Sequence, residues 1–327
     1  MRLLALIIAS LSFVAMPSPA QTVKRSYQVV HGWPQLPDNE MLDEVSAVAV
    51  DQGGEVFVLT RAGRKWPDSG ELDTSAIPKP TILVFDGRTG HLIERLGAGL
   101  FALPHSITID ASNAIWVADV ALHQVFKLSR DGKLLLSLGE RAKPGEDQRH
   151  FNRPSDVAIA PDGSIFVSDG YGNNRIVKFD STGRFQRQWG TKGSRPGQFQ
   201  LPHSLTIDAQ RRVWIVDRGN ARVQAFDLDG GFLFEWRGPP FVSPQSIDVA
   251  ADGHVFVVEL GDEPPPDEAG VWVLNREGMS VERIGRFGNY DGQFVDPHWL
   301  ALDRHGNIYV ADFGGRRVQK FKPKERP

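Results

Sequence analysis

The 327-residue sequence contains no cysteine. That excludes disulfides, a thiolate metal site and a cysteine nucleophile, so any metal must sit on histidine or carboxylate. A basic excess is lacking too. Lys and Arg number 37 against 40 Asp and Glu, a net charge of −3, which argues against a nucleic-acid partner. No apolar run beyond the N-terminus is long enough to span a bilayer, so no membrane partner is expected. No Gly-x-Ser-x-Gly sequence occurs, which weighs against a serine hydrolase of that type. The glycines punctuate strands rather than open helices, so no phosphate-cradling loop is read. What is present is an ordinary apolar content of 41%, enough to bury a core. The length suits two average domains or one large all-β domain.

The first 20 residues stand apart. Met1-Arg2 precedes the apolar run Leu3 to Met16, which ends in Pro17-Ser18-Pro19-Ala20. One positive charge, a short apolar stretch and small residues read as a secretory signal cleaved near Ala20. The run is too short for a membrane anchor and has no basic flank. Residues 21–327 are therefore expected to be exported, to the periplasm or outside the cell, and to act as a soluble monomer.

Internal repeats organise the rest. Leu201-Pro-His-Ser-Leu-Thr-Ile-Asp208 recurs as Leu103-Pro-His-Ser-Ile-Thr-Ile-Asp110. Looser copies start near Arg153, Ser243 and Asp296, and Val45 to Asp51 fits without the proline. The residue after the proline marks the register: Ser46, His105, Ser155, His203, Gln245 and His298, at spacings of 59, 50, 48, 42 and 53. Each copy continues with a turn such as Asp162-Gly163, then an apolar strand such as Ile165–Ser168. An Arg-Val-Gln-x-Phe type strand and a last strand ending in Trp-Gly or Leu-Gly follow. Short period-2 strands with turn signals between them make antiparallel sheets. Four strands per repeat of this length make propeller blades. The expected fold is one all-β domain, a six-bladed β-propeller over 21–327. The last copy has three strands, and Ser26–Trp33 supplies the fourth, closing the ring and removing its open edges. Pro67–Pro80 and Asp262–Ala269 lengthen blades 1 and 5 and read as surface loops.

Histidine falls on blades 2, 4 and 6 of the register and on no other blade. The first strand of a blade lines the central channel, so alternate blades place His105, His203 and His298 around its mouth. Three imidazoles can hold Zn²⁺ with a fourth position open, the catalytic rather than the structural arrangement. The bland alternative is a structural or pH-sensitive ring. A second column lies 14 residues on: Thr60, Asp119, Asp169, Asp217, Glu259 and Asp312. The repeated acid reads as a turn-fixing residue. Residues just beyond it, Arg61, Gly170-Tyr171 and Arg218, lie on the channel face of the histidines. His123 and His150 are off register and read as local hydrogen-bonding residues.

The repeats resemble NHL-type blades. From about Val45 to Phe321 the chain further resembles the peptidyl-α-hydroxyglycine α-amidating lyase (peptidylamidoglycolate lyase) family. The resemblance is carried by Trp116–Leu128, Val167–Val177 and Pro196–Leu205. It implies a six-bladed zinc propeller that cleaves a C-terminal α-hydroxyglycine into a peptide amide and glyoxylate. The family's zinc histidines fall on His105, His203 and His298, its catalytic tyrosine on Tyr171 and its essential arginine on Arg61. Tyr171 would be the base, its pKa drawn down by metal and guanidinium, and Arg61 would clamp the substrate carboxylate. The family's calcium uses two backbone carbonyls, here Val48 and Ile107, and an Asp directly after the third histidine. Trp299 stands there instead, so calcium should matter little. Asp296 replaces a family methionine, and Gly172 a disulfide cysteine. Two other functions compete with a zinc lyase: a non-catalytic NHL platform binding a partner on its rim, and a propeller metallohydrolase such as a lactonase. The first has no need of alternating histidines, and the second usually holds its metal with carboxylates and Asn.

Overall fold

Alternating apolar residues build every blade of the computed structural model, which describes residues 26–37, 40–67, 71–262 and 268–324. The proposed leader, residues 1–20, lies outside the described residues. The strands form six antiparallel four-stranded sheets. The innermost strands are Val45–Val50, Pro104–Ile109, Asp156–Ile159, Pro202–Ile207, Pro244–Val249 and Pro297–Leu302, in blades 1 to 6. Among the described residues the only helical element is the 3₁₀ turn Arg218–Asn220. No helix there is long and apolar enough to cross a membrane.

The second strands are buried on both faces, and their period of two divides them between neighbouring wedges. In Ile165–Asp169, Ile165 and Val167 pack toward blade 2 with Trp116 and Val125. Phe166 packs the other way with Val213 and Ile215 of blade 4. The core is thus a set of interblade wedges rather than one central mass. Truncating a fully buried ring such as Phe166 to Ala should cost about 3–5 kcal/mol.

The ring closes as the sequence predicts. Tyr27–Val29 pairs antiparallel with Arg317–Pro323, with Val29 opposite Phe321. Tyr27 packs edge-on to Phe256 of blade 5 at 6.1 Å. Trp33 lies 5.0 Å from Tyr309 and 6.2 Å from Phe85, joining blades 6 and 1.

In blades 2 to 6 the repeated acids tie the blade together at its top. Asp119 accepts hydrogen bonds from the backbone N–H of Ala102, Leu103 and Leu122. Asp169, Asp217 and Asp312 do likewise for the loop before their own innermost strand. Each also pairs with the arginine that opens the third strand, Arg175, Arg222 or Arg317, at 2.9, 2.8 and 3.0 Å. In blades 3, 4 and 6 the acid and the arginine are therefore one structural device.

Candidate metal centre

The three register histidines meet in the channel. Each stands where its strand slips register against the second strand, between Pro104 and Ser106, Pro202 and Ser204, and Pro297 and Trp299. Such a bulge re-aims the side chain at the extra residue. His105 and His203 are fully buried, and His298 is nearly so. Ring centroids are 4.9 Å apart for His105–His203 and His105–His298, and 5.1 Å for His203–His298. One ring nitrogen from each lies within 4.8 Å of the others.

Their tautomers follow from their partners. Nδ1 of His105 lies 2.7 Å from the Ser155 carbonyl, that of His203 2.6 Å from Gln245, and that of His298 2.6 Å from Ser46. A carbonyl can only accept, so each Nδ1 carries the proton and each Nε2 turns a lone pair inward. The three carbonyls belong to the register positions of blades 3, 5 and 1. Even blades supply imidazoles, and odd blades supply the acceptors that orient them. Burial and the neighbouring positive charges hold His105 and His203 well below the usual imidazole range. Burial brings His298 down to about 3. All three are neutral near pH 7.

Tyr171 enters from the loop after the second strand of blade 3. Its hydroxyl lies 2.9 Å from Nε2 of His105 and 2.8 Å from Nε2 of His203. A phenol has one proton, so only one of these contacts can be a full hydrogen bond. Gly170 and Gly172 let this loop press inward. A Cβ on Gly170 would stand 1.9 Å from the Pro202 carbonyl oxygen, and one on Gly172 2.2 Å from the Asn152 side chain. Burial pushes the phenol above its ordinary pKa, against the pull of Arg218 and Arg61. The expected guanidinium effect has the right sign, but desolvation outweighs it.

Arg61 leaves blade 1 at 4% exposure. Its guanidinium carbon lies 4.7 Å from the Phe313 ring and 5.6 Å from that of Trp66. Its Nε has no hydrogen-bond partner among the described residues. Burial lowers its pKa, opposed by Tyr171, Glu44, Asp119 and Asp296. Trp66 also packs on Tyr171 at 5.1 Å, so one indole touches both groups. Phe313 escaped the sequence reading, although it occupies the same position after the repeated acid as Arg61 and Arg218.

Val48 and Ile107 sit on the innermost strands of blades 1 and 2, both buried. Among the described residues, the three histidines are the one group of three or more His, Asp or Glu whose ligand atoms converge. Off register, His123 accepts the Arg153 N–H at 2.9 Å, and His150 pairs with Asp147 at 2.8 Å. The blade 1 insertion is less free than expected. Arg141 of blade 2 donates to the Thr74 carbonyl, and Ile77, buried, donates its N–H to Phe101. Residues 263–267 of the blade 5 insertion lie outside the described residues.

A family model described as a 6-bladed beta-propeller matches residues 146–263. The chain is 36% identical over 306 residues to peptidylglycine alpha-amidating monooxygenase of Rattus norvegicus, covering 86% of this chain and 31% of that protein. It thus spans about a third of the length of such relatives. It is 41% identical over 300 residues to the "Probable peptidyl-alpha-hydroxyglycine alpha-amidating lyase" of Caenorhabditis elegans, covering 86% of this chain and 83% of that protein. Among solved structures, a streptogramin B lyase superposes with a TM-score of 0.60 over 92% of this chain and 98% of that one, a likeness of fold alone at 14% identity. By the extent of the match to relatives of similar length, the chain belongs to the peptidyl-α-hydroxyglycine α-amidating lyase family.

Proposed function

We propose that this chain is a zinc-dependent carbon–nitrogen lyase that cleaves a peptidyl-α-hydroxyglycine, or a similar carbinolamide, to an amide and glyoxylate. The observation that carries the reading is the convergence of three neutral imidazole lone pairs and one phenol oxygen, with a single proton among them. Family membership supports it. The donor set fits zinc, which His105, His203 and His298 would hold. When bound, zinc supplies Lewis acidity, which makes a hydroxyl proton easier to lose.

The rest falls to the chain's own residues. Tyr171, as the phenolate that a bound metal, Arg61 and Arg218 would favour, takes the proton of the substrate hydroxyl as general base. The O–H electrons become the second carbon–oxygen bond of glyoxylate, and the C–N pair leaves with the amide nitrogen. That nitrogen gains the proton from Tyr171, so the reaction needs no further reactant. Arg61 holds the carboxylate, for which a planar fork with an unpartnered donor is suited. Held between Phe313 and Trp66, the fork keeps its orientation before substrate arrives. Arg218 adds a second positive charge beside Tyr171. The substrate would be a peptide bearing such a C-terminal group, met outside the cytoplasm after export. A rim-binding platform gains nothing from three buried imidazoles, and a carboxylate-ligated lactonase site needs acids that this cluster lacks.

The test is glyoxylate release from an α-hydroxyglycyl peptide, with and without chelator, beside metal analysis. Tyr171→Phe should lose on the order of 10²-fold or more in turnover and keep its zinc. Near-normal turnover in that variant would remove tyrosine from the mechanism.

A further inference from the structure

One step deeper than the register position, the innermost strands carry Ala47, Ser106, Asp156, Ser204, Ser246 and Trp299. All six are buried. Five are short, and the Asp156 carboxylate is turned aside to the Leu205 N–H of blade 4. The sixth is an indole. From blade 6 its ring reaches within 5.7 Å of His105 on blade 2, 6.0 Å of His203 on blade 4 and 5.7 Å of its neighbour His298. A single side chain that touches rings from three alternate blades lies across the bore. Tyr171 and Arg61 arrive from loops on the opposite side of the histidines, at the strand entries.

We propose that Trp299 is a positioning residue that plugs the channel directly beneath the three histidines. It leaves the cluster approachable only from the Tyr171 and Arg61 face. Five short residues make room for the indole, so the layer packs as one large side chain among small ones. The layer is otherwise polar, with three serines and an aspartate, and without the indole it could hold water. Water there would offer a metal a ligand on the wrong side and would loosen the imidazoles from below. Ligand-orienting neighbours of this kind typically tune metal affinity 10–100-fold.

This inference rests on the cluster being a metal site, and the experiment separates the two. Wild type and Trp299→Ala, Trp299→Leu and Trp299→Phe are loaded with cobalt(II), and native folding is checked by circular dichroism. Two readouts are taken: the visible absorption that distinguishes four- from higher-coordinate cobalt, and the rate of cobalt loss to chelator. Wild type should give the intense four-coordinate spectrum. Trp299→Ala should shift to the weak higher-coordinate spectrum and lose metal about 10–100-fold faster. Trp299→Phe should recover most of the wild-type behaviour, because it restores an apolar ring. Should Trp299→Ala fail to fold, Trp299→Leu takes its place with the same expectation. Wild-type spectra and exchange rates in the folded variants would overturn the plug and leave the metal site standing. A wild type that takes up no cobalt would overturn both.

Discussion

Asp156 offers a test of how the channel is held together. Its carboxylate accepts its own chain's Val157 N–H at 2.7 Å and the Leu205 N–H of blade 4 at 2.8 Å. It thereby staples the strand whose Ser155 carbonyl orients His105 to the strand that carries His203. Burial raises its pKa from 3.8 to about 7, and the hydrogen bonds to Leu205 and Val157 offset only part of that shift. The shift is about three units, and each unit is worth about 1.4 kcal/mol. The folded carboxyl holds its proton to higher pH than the unfolded one does. Its contribution is therefore complete below pH ~4 and is lost as pH rises to about 7, on the order of 4 kcal/mol in all. Asp156→Asn keeps the shape and one acceptor oxygen but does not titrate. Leaving one buried N–H unpaired should cost a pH-independent ~1–3 kcal/mol. Urea unfolding of both proteins between pH ~4 and ~8 isolates the carboxyl, since the imidazoles titrate alike in the two. The stability of wild type minus variant should fall steadily across that range. A difference that stays flat, or grows with pH, would refute a buried, proton-holding Asp156.

Other expectations follow from the same geometry. His203→Ala should lose most of its bound metal and its lyase activity while keeping a native-like circular dichroism spectrum, because the wedges, not the cluster, hold the ring; an unfolded variant would make the cluster structural. Arg61→Lys should lower kcat/KM on the order of 10-fold or more with metal content unchanged, since an ammonium cannot reproduce the fork held between Phe313 and Trp66; steady-state kinetics on an α-hydroxyglycyl peptide decide it. Deleting residues 26–33 removes the closing strand together with Tyr27 and Trp33, whose burial is worth several kcal/mol, so calorimetry should find a clearly lower Tm; an unchanged Tm would mean that the closure holds nothing.

The ring was legible because each blade repeats its own punctuation. Prolines at the innermost strand starts of blades 2 to 6 and the acid column recur at blade spacing, and a propeller needs that recurrence to pack wedge against wedge. His105, His203 and His298 were legible for the same reason, as an alternation within one column. Side chains that depart from their column were not. Phe313 shares a column with Arg61 and Arg218 but breaks it in residue type, and nothing in the repeat marks its ring as the one that holds the Arg61 guanidinium. Trp299 read as the loss of a carboxylate. What it does instead depends on the five short residues in its layer, which belong to five other blades. The blade 1 insertion read as free surface because its anchors, Arg141 and Phe101, are long-range partners from blade 2.

The odd blades explain why a sixfold ring can hold a threefold site. Each histidine is oriented by a carbonyl from the next blade, and a backbone acceptor imposes nothing on the side chain that carries it. Ser46 and Ser155 carry a hydroxyl and Gln245 a longer amide, yet all three carbonyls perform one task. A column that alternates between histidine and unrelated residues therefore need not mean that half of it is idle. The imidazole half leaves a mark in the sequence because it needs one residue type. The carbonyl half leaves none, because what it needs is only a backbone oxygen at the right height. On the imidazole half, the bulge at each histidine is as necessary to the site as the ring that it re-aims. Straightening the strand would move the ring back into the wedge and part it from its acceptor, even with all three histidines present.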